Sequence, residues 1–122
     1  MKRQLNFYVV YKPARYIACQ DKELSEKELK TCSDTELMRF IYSNIKYPKE
    51  ARNQGIDGIA QAKVTIEKDG SISDISMLSS LSIDIKLECE RVLSLLPKWE
   101  PGYANGQPVT SHFYIPIKFR LE

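Results

Sequence analysis

Long apolar runs are missing from this 122-residue sequence. Met1-Lys2-Arg3 is basic, but Gln4, Asn6 and Tyr8 interrupt the residues after it, so no signal-peptide core forms. No segment approaches the length of a membrane-spanning helix. Two situations fit: a soluble protein, or one whose membrane anchor or export signal lies upstream of this sequence. Charge of one sign is also scarce. The net charge is +2, with Lys and Arg spread among acids, which excludes the concentrated basic face that nucleic-acid binding needs. Histidine is nearly absent, and a lone imidazole, His112, is more often a surface or contact group than a catalyst. A zinc site drawn from Cys19, Cys32, Cys89 and His112 lacks the close paired spacings such sites show. No cofactor and no enzymatic activity are expected, and two converging acids in a pocket would be needed to revive catalysis.

Cysteine is sparse and odd in number at three. Cys19 and Cys32 stand in a polar region with little core of its own, where either a disulfide or two free thiols fit. A bridge there would contribute on the order of 3 kcal/mol in the chain-entropy model. Cys89 falls at a helical core spacing and reads as a small buried hydrophobe.

What is present suits one globular core: 43% hydrophobic residues with 28% charged, including seven Tyr, four Phe and one Trp. Leu5 to Tyr11 suggests a short N-terminal strand ending at Pro13. Gln20 to Lys30 is mostly charged and reads as a loop with at most one helical turn. Ser33-Asp34-Thr35-Glu36 has the form of a capping box, predicting that a helix starts there. Leu37, Phe40, Ile41 and Ile45 then lie along one face, and Tyr47-Pro48 breaks the pattern. Pro48 suits the opening of a short second helix, and Gly55 its left-handed end.

From Gly58 the period becomes two. Ala60, Ala62, Val64 and Ile66 alternate with polar residues, and a two-residue turn at Asp69-Gly70 places Val64 opposite Ile75 and Ala62 opposite Met77. Leu78 and Ile72 fall on the other face, where cover by the N-terminal arm would account for them. Asp84 is placed to cap a helix carrying Ile85, Cys89, Val92, Leu93 and Leu96. Trp99, Pro101-Gly102 and Asn105-Gly106 form a turn-rich connection, with Trp99 as core or as a latch over it. The last strand alternates most clearly. Ser111, Phe113, Ile115, Ile117, Phe119 and Leu121 point one way, and Thr110, His112, Tyr114, Lys118 and Arg120 the other. The expected fold class is α+β: a two-layer sandwich with an antiparallel sheet of about three strands and helices packed on one face. Pro116 favours a sheet edge for the last strand, because its ring removes an amide that a central strand needs.

Tyr47-Pro48, Gly55-Ile56-Asp57-Gly58, Asp69-Gly70, Pro97-Lys98-Trp99-Glu100-Pro101-Gly102, Asn105-Gly106 and Ile115-Pro116-Ile117 stand in the order of the TonB family's C-terminal domain. The sequence resembles that family from about Ser33 to Leu121, and its wording is most similar to TonB-like domains of Bacteroidetes, some of which carry a cysteine pair ahead of the first helix. The division expected is residues 1–32 as an N-terminal extension, holding the strand read from Leu5 to Tyr11 and, as the resemblance implies, a Cys19–Cys32 disulfide, and residues 33–122 as a TonB-like C-terminal domain. The resemblance implies a periplasmic binding module without catalysis. It would be anchored to the inner membrane through an upstream segment and driven by a proton-motor complex of the ExbB-ExbD kind. Its partners would be outer-membrane TonB-dependent transporters, whose extended N-terminal peptide pairs with the domain's last strand. The alternative for that strand is an edge protected by Pro116, Lys118 and Arg120, and both readings hold if pairing is confined to Thr110, Ser111, His112, Phe113, Tyr114 and Ile115, ahead of the proline. The resemblance also places the turn around Asn44, Lys46 and Tyr47 near the peptide. For that turn the alternative is that Tyr47 packs beneath the sheet and Pro48 merely starts a helix. A homodimer stays open, as does a sensory or scaffold domain with this fold and no energy coupling.

Overall fold

A computed structural model describes residues 11–16, 19 and 23–121. The elements run β1 (Tyr11–Lys12), β2 (Arg15–Tyr16), α1 (Glu26–Asn44), α2 (Lys49–Asn53), β3 (Gly58–Ile66), β4 (Ile72–Ser79), α3 (Ile83–Leu93), β5 (Trp99–Glu100), β6 (Gly102–Ala104), β7 (Gln107–Val109) and β8 (Ser111–Phe119). The main sheet has three antiparallel strands in the order β4-β3-β8, with helices on one face, so the α+β sandwich stands as expected. Two ribbons add to it. The N-terminal β1 joins the β6–β7 hairpin, and β2 pairs with β5. The connection read as turns is therefore largely strand. Its Asn105-Gly106 pair, both at positive φ, closes a two-residue hairpin between Ala104 and Gln107. Residues 5–10 of the expected N-terminal strand lie outside the described residues.

The start of α1 corrects the sequence reading. Ser25 is the N-cap, accepting from the Glu28 amide while Glu28 accepts from Ser25, and Ser33 lies fully buried in the middle of the helix. Two capping-box patterns compete in this stretch, and the earlier one prevails. It lets Leu29 add to the buried face with Leu37 and Ile41, and the helix carries Cys32 into a disulfide with Cys19. The chain is thus continuous helix through residues 32 and 33. A similar correction holds for α3, where the cap is Ser82, whose Oγ accepts from the Ile85 amide, and Asp84 stands in the first turn. Pro48 precedes α2 as its N-cap, and Gly55 follows at φ +69.

The β3–β4 hairpin has the anticipated central register, Val64 opposite Ile75 and Ala62 opposite Met77, but it reaches that register by another route. Glu67 N–H bonds the Ser71 carbonyl and Gly70 N–H the Glu67 carbonyl, so three residues form the loop. A β-bulge between Thr65 and Ile66, with Ser73 the extra residue, then restores the pairing. The bulge also turns Ile72 onto the core face opposite Ile66, which removes the need for cover by the N-terminal arm. Leu78 is the extra residue of a second irregularity and is exposed, while the described part of the arm pairs elsewhere.

The core gathers the even residues of β3, the odd residues of β8, the stripes of α1 and α3, and Trp99. Trp99 is 1% exposed and lies edge-on to Phe113 and Tyr16, with ring centroids 4.9 and 5.9 Å away. Tyr16 also meets Phe40, so the N-terminal arm closes over the indole. Trp99 is a core residue, and β2 is the latch above it.

Candidate docking edge

A three-stranded sheet has two edges, and here they differ. β4 carries both irregularities of the sheet, which twist and blunt an edge. β8 runs nine residues in unbroken register with β3, from Gly58–Phe119 to Ile66–Ser111, and among the described residues no strand lies on its other side.

Which β8 groups face that open side follows from strand geometry, since a residue in an antiparallel ladder turns its N–H and C=O to the same edge. Glu67 N–H bonds β4-side Ser71, so odd residues at this end of β3 face β4 and even ones face β8. Their partners on β8 are odd, including Val64–Phe113 and Ala62–Ile115. The even residues of β8 therefore present their backbone outward. Lys118 agrees, because its N–H bonds the Tyr42 hydroxyl of α1 at 2.9 Å instead of β3. What the edge offers is the N–H and C=O of His112 and Tyr114, with Pro116 and Lys118 adding carbonyls alone.

The suspected contact residues separate on this basis. His112 and Tyr114 point both backbone and side chain outward, Tyr114 being 57% exposed, and His112 Nδ1 lies 3.1 Å from Thr65 Oγ1 across the strand pair. Ser111, Phe113 and Ile115 turn their side chains into the protein and their backbones to β3. The Thr110 hydroxyl donates to Glu67, whose carboxyl is held below its usual range by the Ser73 and Thr110 hydroxyls. Asn44, Lys46 and Tyr47 gather at the far end of β8, where Tyr47 packs edge-on to Phe119 and its hydroxyl donates to the Ile56 carbonyl. Phe119 is roughly 13 Å along the strand from Ile115.

Much of that turn is committed to α3. Glu88 accepts from the Lys46 amide at 2.7 Å and from Arg91 Nε and Nη2 at 2.9 and 2.7 Å, and Arg91 Nη2 also donates to the Asn44 carbonyl. The Arg91 hydrogen bonds, with help from the Lys46 amide, hold the Glu88 carboxyl below the ordinary range. A depressed folded-state pKa means the clamp stabilises the protein above the unfolded value, near 4.3, and the contribution is lost as pH falls through the folded value. Glu88→Gln is accordingly expected to lower the melting temperature at pH 7 and to converge with the parent only as the pH falls through the depressed folded-state value. A parallel pair of melting curves across the acid limb would show the clamp to be absent.

Tyr42 was not among the residues singled out from sequence. It stands on the exposed side of α1, and helical periodicity carries no signal that its hydroxyl reaches a strand 76 positions away.

Residues 43–121 match the family model for the C-terminal region of the Gram-negative bacterial TonB protein. The chain belongs to the TonB C-terminal domain family. Protein TonB of Vibrio cholerae is 30% identical over 79 residues, covering 63% of this chain and 32% of that protein. Protein TonB of Helicobacter pylori is 36% identical over 92 residues, covering 71% and 30%. The chain thus spans about a third of the length of these TonB relatives. Two solution structures of the Helicobacter pylori TonB C-terminal domain share the fold at 27% identity. One superposes with a TM-score of 0.58 over 84% of this chain and 88% of that one, the other with 0.52 over 70% and 90%. Among the described residues no helix is long and apolar enough to cross a membrane.

Proposed function

We propose that this TonB domain works in the periplasm as the docking end of an energy transducer, receiving the extended N-terminal peptide of outer-membrane transporters as a strand added to β8. The observation that carries this reading is the asymmetry of the sheet: a bulged edge at β4, and a regular edge at β8 whose His112 and Tyr114 amides face outward with no strand beside them among the described residues. Main-chain bonding supplies affinity in strand addition, and flanking side chains supply selectivity. Each bond nets only about 0.5 to 1.5 kcal/mol, so affinity is modest. Loading several bonds together along a strand still lets such a contact carry force from a proton-motor complex attached through an upstream anchor. The Cys19–Cys32 disulfide suits the oxidising periplasm. Residues 33–122 hold the docking edge, and the segment before them braces the core through Ala14 and Tyr16.

Titration of the domain with synthetic peptides copying transporter N-termini, followed by backbone amide shifts, tests this. The largest shifts are expected at His112 and Tyr114. Peptide-induced shifts that leave both unmoved would sink the docking model.

A further inference from the structure

A one-residue slip of an added strand exchanges its two faces and is forbidden by side-chain pattern, but a two-residue slip keeps every side chain on its face. Alternation on the guest therefore cannot choose between registers two residues apart. A backbone device has to choose, and β8 carries one toward its C-terminal end. Pro116 has no N–H to give. Lys118, the next outward-facing residue, has its N–H held by the Tyr42 hydroxyl at 2.9 Å, although Tyr42 is 44% exposed and could turn to water. The Tyr42 ring is carried by α1, whose C-terminal end is tied to α3 through Arg91 and Glu88, so the hydroxyl is presented from a braced position.

We propose that Tyr42 is a register stop: by occupying the Lys118 amide it removes the one edge donor beyond Pro116, leaves Lys118 only its carbonyl, and confines the guest to His112, Tyr114 and Pro116. This rests on the strand-addition reading above and assigns Tyr42 a positioning role within it. Sliding the guest two residues toward Lys118 would exchange the His112 donor for an amide already engaged, with the Pro116 ring facing a guest carbonyl between them. Removing the hydroxyl returns Lys118 as a donor and makes the slipped register competitive.

The test compares the parent domain with Tyr42→Phe, which keeps the ring and removes only the hydroxyl. Hydrogen exchange is read at His112, Tyr114 and Lys118, free and with the synthetic transporter peptides. In the free variant, exchange at Lys118 is expected to rise roughly tenfold. With peptide, the parent gains protection at His112 and Tyr114 and none at Lys118, whereas the variant gains it at Lys118 as well and shows doubled peptide resonances from two registers. Peptide-induced protection of Lys118 in the parent, alongside His112 and Tyr114, overturns the register stop and leaves docking intact. Unchanged Lys118 exchange in the free variant overturns it too. Failure of every peptide to protect His112 and Tyr114 overturns the docking reading, and the register stop with it.

Discussion

Replacing Tyr114 with proline is expected to weaken strand docking tenfold or more, about 1.4 kcal/mol, while the domain stays folded. The Tyr114 amide faces the open edge and takes no part in the β3 ladder, so its loss removes no internal hydrogen bond. The remaining cost is the strand preference that proline forfeits, about 1 kcal/mol, and Pro116 shows that this strand accepts the ring two residues on. For the guest the change is larger, because the ring removes the donor at the centre of the edge and fills the space where a neighbouring strand would lie. Phe113→Pro is the informative contrast. Phe113 bonds Val64 and packs on Trp99, so proline there breaks the ladder and should unfold the protein. Tyr114→Ala keeps the amide and separates side chain from backbone. Thermal melts and peptide titrations of the three variants check the prediction, and a Tyr114→Pro domain that binds like its parent would remove β8 from consideration.

The largest stability effect is expected at Gly70. It sits at φ +88, a conformation costing other residues about 1 to 2 kcal/mol, and its backbone lies against Trp99. Trp99 N–H bonds the Gly70 carbonyl at 2.8 Å, and a Cβ on Gly70 would stand 2.0 Å from the Trp99 carbonyl oxygen. Backbone meets backbone there, so Gly70→Ala must open the hairpin loop or shift the indole from its place among Tyr16 and Phe113. The expected loss is about 3 kcal/mol or more, a fall in melting temperature of roughly 10 °C or more. Gly106→Ala is the control. Its φ of +80 is similar but nothing lies within 4 Å, so it should cost about 1 kcal/mol through strain alone. Equal losses at the two positions would mean that the Gly70–Trp99 contact contributes nothing.

These two residues show why some of the structure was legible beforehand and some was not. Asp69-Gly70 announced a turn, since glycine after aspartate marks a chain reversal whatever surrounds it. The Trp99 backbone pressing on that turn was not readable, because the two residues meet only after α3 and its flanking loops have intervened. The hairpin makes a similar point. Its central register followed from the shared apolar face of Val64, Ala62, Ile75 and Met77, but the three-residue loop and the bulge at Ser73 have compensating effects that alternation cannot reveal. The misplaced start of α1 arose from two cap patterns close together. Local capping energies of similar size do not decide between them, whereas the packing of Leu29 and the Cys32 bridge do.

The candidate edge divides in the same way. Alternation in Ser111 to Phe119 and the presence of Pro116 were enough, from the residues alone, to make the last strand an edge with its polar face to solvent. Those features are local: side chains alternate at a period set by the chain's own geometry, and a missing amide belongs to one residue. Only the folded chain decided which backbone groups of that edge are available. β3 takes the odd residues of β8, and the Tyr42 hydroxyl takes the Lys118 amide. Hydrogen bonds between distant segments depend on the positions of whole helices and strands, and no window of sequence carries that information.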